Sequence, residues 1–147
     1  MPQQKLVLIG DGPAAKSLCR TLPDNIMHHA NLDDKQKLQL VAKAKAFIFA
    51  AEEDFGIAPV EAMACGTPVI AYGKGGALET VRPPETSENP TGLFFREQTV
   101  AALADAISRF EQQEACFKPV ACRNWAQTFS EARFQRRLLA LMELKQL

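Results

Sequence analysis

An α/β fold is what the sequence predicts: a Rossmann-like parallel sheet with helices on both faces, ending in helices. Three observations predict it. Short apolar runs alternate with helix-length amphipathic stretches, Gly and Pro punctuate the carboxyl ends of those runs, and beyond residue 95 apolar residues recur only at helical spacing.

Lys5 to Ile9 suits a first strand. Gly10-Asp11-Gly12-Pro13 then turns the chain into a helix through about Thr21, with Pro13 at an opening position that needs no amide donor. A second short strand covers Asn25 to Ala30. Asn31-Leu32-Asp33-Asp34 offers capping side chains for a helix over roughly Lys35 to Lys45, where Leu38, Val41 and Ala42 share a face. Ala46 to Ala51, aromatic and branched, is a buried third strand, and Pro59 fits the first turn of the next helix. Pro68 to Tyr72 forms a fourth strand, followed by a glycine loop and a helix from about Ala77 to Val81. Pro83 to Pro90 is an exposed loop, and Gly92 to Phe95 a last strand. Val100, Leu103, Ile107 and Phe110 mark one amphipathic helix, and Phe134, Leu138, Leu141 and Met142 another, whose stripe is expected to pack in the core, the alternative being that part of it faces a partner.

Residues 1–147 have the size of one domain with its own core. Seventeen basic and seventeen acidic residues cancel, which leaves no electrostatic footprint for nucleic acid or an anionic membrane. The apolar runs are far too short to span a bilayer and the N-terminus lacks a signal pattern, so a cytoplasmic location is expected. Cys19, Cys65, Cys116 and Cys122 have no metal-ligand spacing and are expected to be free thiols. His28 and His29 are expected as half-buried or surface imidazoles, and Trp125 as a packing residue.

The chemistry concentrates in Glu53-Asp54-Phe55-Gly56-Ile57-Ala58-Pro59-Val60-Glu61, which leaves a strand's carboxyl end and enters a helix. In open α/β sheets ligands sit in the crevice beyond those strand ends, and helix-start amides there favour phosphate. Two carboxylates at its edges make sense as acceptors from neutral hydroxyls, such as those of a sugar or a ribose. Taken singly, each acid is also explained as a surface or helix-start glutamate.

With Phe55-Gly56 inside the acid pair, Ala62-Met-Ala-Cys-Gly-Thr-Pro-Val-Ile70 after it and Gly75-Gly76-Ala-Leu-Glu79-Thr-Val81 further on, the chain resembles one family specifically. It is similar, from Leu6 to about Phe134, to the C-terminal, nucleotide-sugar-binding domain of the retaining family 4 glycosyltransferases (glycosyl transferases group 1), half of a GT-B fold. The wording EEDFGI and GGALETV is mannosyltransferase-like. The resemblance implies that Glu53, at the catalytic position, accepts from donor-sugar hydroxyls and Glu61 from ribose hydroxyls. It implies further that amides near Phe55, Gly56 and Ile57 approach the diphosphate, and that Gly10 turns the chain at the same crevice. Leu32 would pack on the base while Asp34 and Lys37 reach its polar edge, an Asp suiting guanine; an ordinary cap explains Asp34 equally.

The donor implied is a nucleoside diphosphate sugar, of the GDP-mannose kind, with no metal and no cofactor. The acceptor is a saccharide or lipid-linked glycan in bacterial surface polysaccharide assembly, with the full enzyme cytoplasmic or peripheral at the inner membrane face. The same resemblance implies an N-terminal GT-B domain or a second chain, and a first strand and helix bearing an Arg and a Lys clamp, for which this sequence has no matching positions. The chain alone is therefore expected to bind donor weakly and to transfer nothing, and to associate through apolar surface as a homodimer or with a partner. Lys74 and Arg82 are the candidate substitutes for the clamp, though their spacing does not require it.

Two other classes stand beside this one. Gly10-x-Gly12-x-x-Ala15 after a strand fits the dinucleotide fingerprint of an NAD-binding oxidoreductase module, but leaves the Glu53 constellation unexplained. A non-catalytic interaction module would use the sheet only as scaffold. Gly73-Lys74-Gly75-Gly76 fails the spacing of a P-loop.

Overall fold

The computed structural model describes residues 1–144, which cluster in two compact units, Met1–Leu40 and the described residues from Val41 onward. In the first, β1 (Leu6–Ile9) pairs in parallel with β2 (Ile26–His29), Leu6 opposite Ile26 and Ile9 opposite His29. The helix expected to run to Thr21 is a single turn, α1 (Ala15–Leu18), with no buried residue. An apolar face of one residue, Leu18, gives a longer helix nothing to bury, and isolated short helices are marginal in water. His28 is half-buried, its Nε2 2.7 Å from the Gly10 carbonyl and its Nδ1 3.0 Å from Cys19 Sγ. α2 (Asp34–Lys43) follows. Asp33 and Gln36 form a reciprocal cap: the Gln36 amide donates to Asp33 Oδ1 at 2.7 Å and the Asp33 amide to Gln36 Oε1 at 3.2 Å.

The second unit holds a parallel sheet in the order β3 (Phe47–Phe49), β4 (Val69–Tyr72), β5 (Gly92–Phe95). Strand β4 is buried on both faces, as the central strand of a covered parallel sheet must be. Its odd residues Val69 and Ala71 join Met63, Ala62, Val81 and Cys122 in one apolar cluster. The even residues Ile70 and Tyr72 join Leu93, Phe95, Phe110 and Phe117 in the other.

Helices α3 (Ile57–Ala64) and α6 (Pro119–Ala126) supply the first cluster, and α5 (Val100–Gln112) the second. Thr99 caps α5 by accepting from the Ala102 amide, and Pro119 opens α6. The short α4 (Ala77–Thr80) lies between β4 and β5. The polar loop after it is closed at its base, where Arg82 and Thr91 exchange backbone and hydroxyl hydrogen bonds of 2.8 and 3.0 Å.

One expectation fails outright. Helix α7 (Glu131–Leu144) carries the stripe assigned to the core, yet Phe134, Leu138, Leu141 and Met142 are all exposed. Helical spacing shows only that a face is apolar; what covers it is set by elements that spacing does not see. The cysteines are free, as expected.

Burial pushes the Cys122 thiol up to about 11, and Cys122 is fully enclosed between the sheet and α6. A raised thiol stays protonated and unreactive at pH 8. Thiol titration of the native chain at that pH should therefore modify the exposed Cys19 and Cys116 at once and Cys122 only after denaturant is added. Rapid labelling of Cys122 alongside them would show that α6 does not pack as described.

Candidate functional site

Three backbone contacts build the site in the second unit. The chain leaves β3 at Ala50, whose carbonyl accepts from the Gln98 side-chain amide at 2.8 Å. Three residues on, the Glu53 carbonyl accepts from the Gly76 amide at 2.8 Å, tying the loop after β3 to the glycine turn after β4. Gly75 takes φ +56°, a left-handed value that favours glycine, and a Cβ there would strike the Glu53 carbonyl. A Cβ on Gly76 would fall 2.5 to 2.6 Å from Phe55 backbone atoms. The two strand-end loops are thus in direct main-chain contact, and glycine is what admits it.

Gly56 then starts α3 from φ +76° with no side-chain cap. Among the described residues, no partner takes up the amides of Ile57 and Ala58 at that helix start. The first turn of α3 also contains no acid. Glu61 lies a turn further in, beyond the reach of the macrodipole effect that would otherwise account for it. Glu53 lies before the cap. Both side chains are exposed, and among the described residues neither carboxylate has a hydrogen bond or ion pair. An anion-attracting helix start with hydroxyl acceptors to either side can hold a phosphate and polyols together. Phe55 is 46% exposed and Ile57 65% exposed, so both offer apolar surface at the same loop.

The remaining expected residues lie in the first unit. Gly10 has φ +127°, and a Cβ on Gly12 would meet nothing within 4 Å. The dinucleotide fingerprint uses its glycines for close helix packing, and the single turn of α1 shows none. Asp34 and Lys37 pair with each other at 3.1 Å, Asp34 almost fully exposed, while Asp33 is the residue that caps α2. Leu32 is half-buried.

Two concavities of the second unit are lined by other residues. One, about 480 Å³, lies at the amino ends of the strands beside Lys45, Thr67 and Arg123; the other, about 720 Å³, lies beside Gly73, Leu78, Phe95 and Arg96. Neither includes Glu53 or Glu61. No group of three metal-ligating side chains occurs among the described residues, and none of their helices is long and apolar enough to cross a membrane.

Sequence reasoning missed Gln98 and Phe129, which support this loop from distant positions. Trp125 is half-buried and packs against the first cluster, as a packing residue should, but its Nε1 also donates to the Thr80 carbonyl at 2.6 Å and the Arg82 guanidinium lies 3.3 Å above its ring.

The profile of glycosyl transferases group 1 matches residues 1–129. The chain belongs to this family. Among curated members it is 29% identical over 144 residues to a glycogen synthase of Thioalkalivibrio sulfidiphilus, matching 89% of this chain and 30% of that protein. It is 32% identical over 117 residues to a GDP-mannose-dependent monoacylated alpha-(1-6)-phosphatidylinositol monomannoside mannosyltransferase of Corynebacterium glutamicum, 72% of this chain and 29% of that one. The chain thus spans about 30% of the length of these relatives. Among solved structures, Anabaena HepE in complex with UDP-glucose superposes with a TM-score of 0.72 at 24% identity, over 97% of this chain and 42% of its own. A GtfA/B complex gives 0.74 at 20% identity, over 97% and 30%. These likenesses establish the fold: an α/β chain with parallel sheets, corresponding to part of a GT-B glycosyltransferase.

The glycine contact makes a direct prediction. Gly76→Ala should lower the free energy of unfolding by about 1–3 kcal/mol, the usual cost of forcing atoms into filled space. Gly12→Ala, with open space around it, should stay within about 0.5 kcal/mol of the parent. Denaturant midpoints at equal slope check both; equal midpoints for the two variants would disprove the loop contact.

Proposed function

We propose that this chain is the donor-binding portion of a retaining glycosyltransferase, corresponding to the C-terminal Rossmann-like domain over residues 1–147. It would take a hexose from a nucleoside diphosphate sugar, GDP-mannose being the donor favoured, for transfer to a saccharide or lipid-linked acceptor in surface polysaccharide assembly at the cytoplasmic side. The observation that carries the reading is the acid-flanked, uncapped start of α3, held at the strand ends by the glycine turn. Family membership supports the reaction class, and the named GDP-mannose dependence of the Corynebacterium relative supports the donor.

Glu53 then accepts from sugar hydroxyls and Glu61 from the ribose, while the Gly56, Ile57 and Ala58 amides face the diphosphate. The roles of Gly10, Leu32, Asp34 and Lys37 toward the nucleotide are proposed on the family resemblance alone. A departing diphosphate carries negative charge that must be stabilised as the glycosidic bond breaks. Of the two cations singled out by sequence, Arg82 is committed to the Trp125 ring, so Lys74 on the glycine turn is the better placed. Its ammonium is held above the ordinary lysine range chiefly by a hydrogen bond from its head group to Tyr72, so it stays charged at neutral pH. No metal or other cofactor is needed for this chemistry. The acceptor is bound by polypeptide outside the chain, either another domain or a second chain, and the chain alone binds donor weakly without turnover.

Calorimetry with GDP, UDP, ADP and NAD tests the reading. GDP should bind in preference to NAD, and Glu61→Gln should weaken it by about tenfold, the effect of removing a charged hydrogen-bond acceptor. Preference for NAD, or an affinity that Glu61→Gln leaves unchanged, would refute the assignment.

A further inference from the structure

The loop that carries Glu53 and Phe55 has little packing of its own, since residues 50–55 are all exposed. Its one ring contact runs outward to the last third of the chain. Phe55 meets Phe129 edge-on at 5.9 Å and 69°, and Phe129 meets Trp125 at 5.2 Å and 85°. Edge-to-face pairs of this kind add attraction beyond the area they bury.

Trp125 also reaches the opposite wall. Its Nε1 donates to the carbonyl of Thr80, the last residue of α4. Thr80, fully buried, donates from its hydroxyl to the Gly76 carbonyl at 3.0 Å, and the Gly76 amide is the group that donates to Glu53. The same indole therefore braces the Glu53 loop by two routes, through rings to Phe55 and through α4 to Gly76. A residue needed only to fill the core would require neither the indole hydrogen bond nor the ring ladder.

We infer that Trp125 and Phe129 are positioning residues for the Glu53–Ile57 loop, acting through Phe55 and Gly76 and setting donor affinity from outside the loop itself. The inference rests on the donor-binding reading for its functional consequence and on geometry alone for the bracing. Phe129→Leu keeps apolar bulk but removes the ring, and Phe129→Tyr restores it.

In the unliganded full chain, amide hydrogen exchange at Gly76, whose amide bonds the Glu53 carbonyl, should quicken about two- to tenfold in Phe129→Leu, the factor that loss of the Phe55–Phe129 ring pair implies. Exchange in β4 should not change, and Phe129→Tyr should return the loop to the parent rate. An unchanged loop in Phe129→Leu, or a rise shared equally by β4, overturns the bracing. Should Phe129→Leu fail to fold, Trp125→Phe, which keeps a ring but lacks the Nε1 donor, should raise exchange at residues 75–76 on its own; no rise there overturns the second route.

Calorimetry with GDP and UDP should then show a matching two- to tenfold loss of affinity in Phe129→Leu. Equal affinity overturns the functional consequence. If the parent binds neither nucleotide, it is the donor-binding reading that falls, while the exchange result still decides the bracing.

Discussion

The arrangement depends on two strand-end loops approaching each other closely enough for main chain to touch main chain. Side chains normally keep neighbouring loops apart by several ångströms. Gly75 and Gly76 remove that spacing, and the Gly76 amide then bonds the Glu53 carbonyl. One hydrogen bond of this kind contributes modestly to stability, about 1 kcal/mol net. Its larger effect is geometric, because it fixes where the chain stands just before Gly56 turns it into α3. The position of both glutamates relative to the helix start follows from that turn.

The sheet beneath has a different task, which is to be rigid. Strand β4 is buried on both faces, and the apolar clusters it joins draw on helices from either side. Surface charge contributes little to this. The three ion pairs among the described residues are partly or fully exposed, at 3.1, 3.5 and 2.8 Å, and pairs in such settings are worth about 0–1 kcal/mol each. Local order at the strand ends therefore comes from close packing and backbone hydrogen bonds. Among the described residues the Glu53 and Glu61 carboxylates have no hydrogen bond or ion pair.

Much of this was legible in the sequence, for reasons that differ by element. The strands Leu6–Ile9, Val69–Tyr72 and Gly92–Phe95 were visible as short branched or aromatic runs between turn residues, and the α3 start as Gly56 followed by Pro59. The acid pair stood out because its spacing, its internal glycine and the following helix agree with each other. What could not be read were contacts between residues remote in sequence. Nothing local to Phe129 announces that its ring meets Phe55, more than seventy positions earlier. The apolar stripe of α7 misled for the same reason: spacing identifies a face, and burial depends on what faces it. The end of α1 was overestimated because a proline opening and a few polar residues do not make a helix without a surface to pack on.

Arg82 illustrates how such remote contacts constrain a side chain. By sequence it is a cation a few residues past the glycine turn, and so a candidate to neutralise a diphosphate. In the fold its guanidinium carbon lies 3.3 Å from the centre of the Trp125 ring, and its main chain is bonded to Thr91. Drawing it to a ligand would forfeit a cation–π contact of about 0.5–2 kcal/mol and strip one side of the indole that braces the glycine turn. A ligand using Arg82 would thus weaken the contacts around that turn. Lys74 sits on the glycine turn itself, its ammonium hydrogen-bonded to Tyr72 and 5.7 Å from that ring's centre, so moving it would leave the Trp125 contacts intact. The fold thus places the two cations differently, Arg82 over the Trp125 ring and Lys74 on the glycine turn.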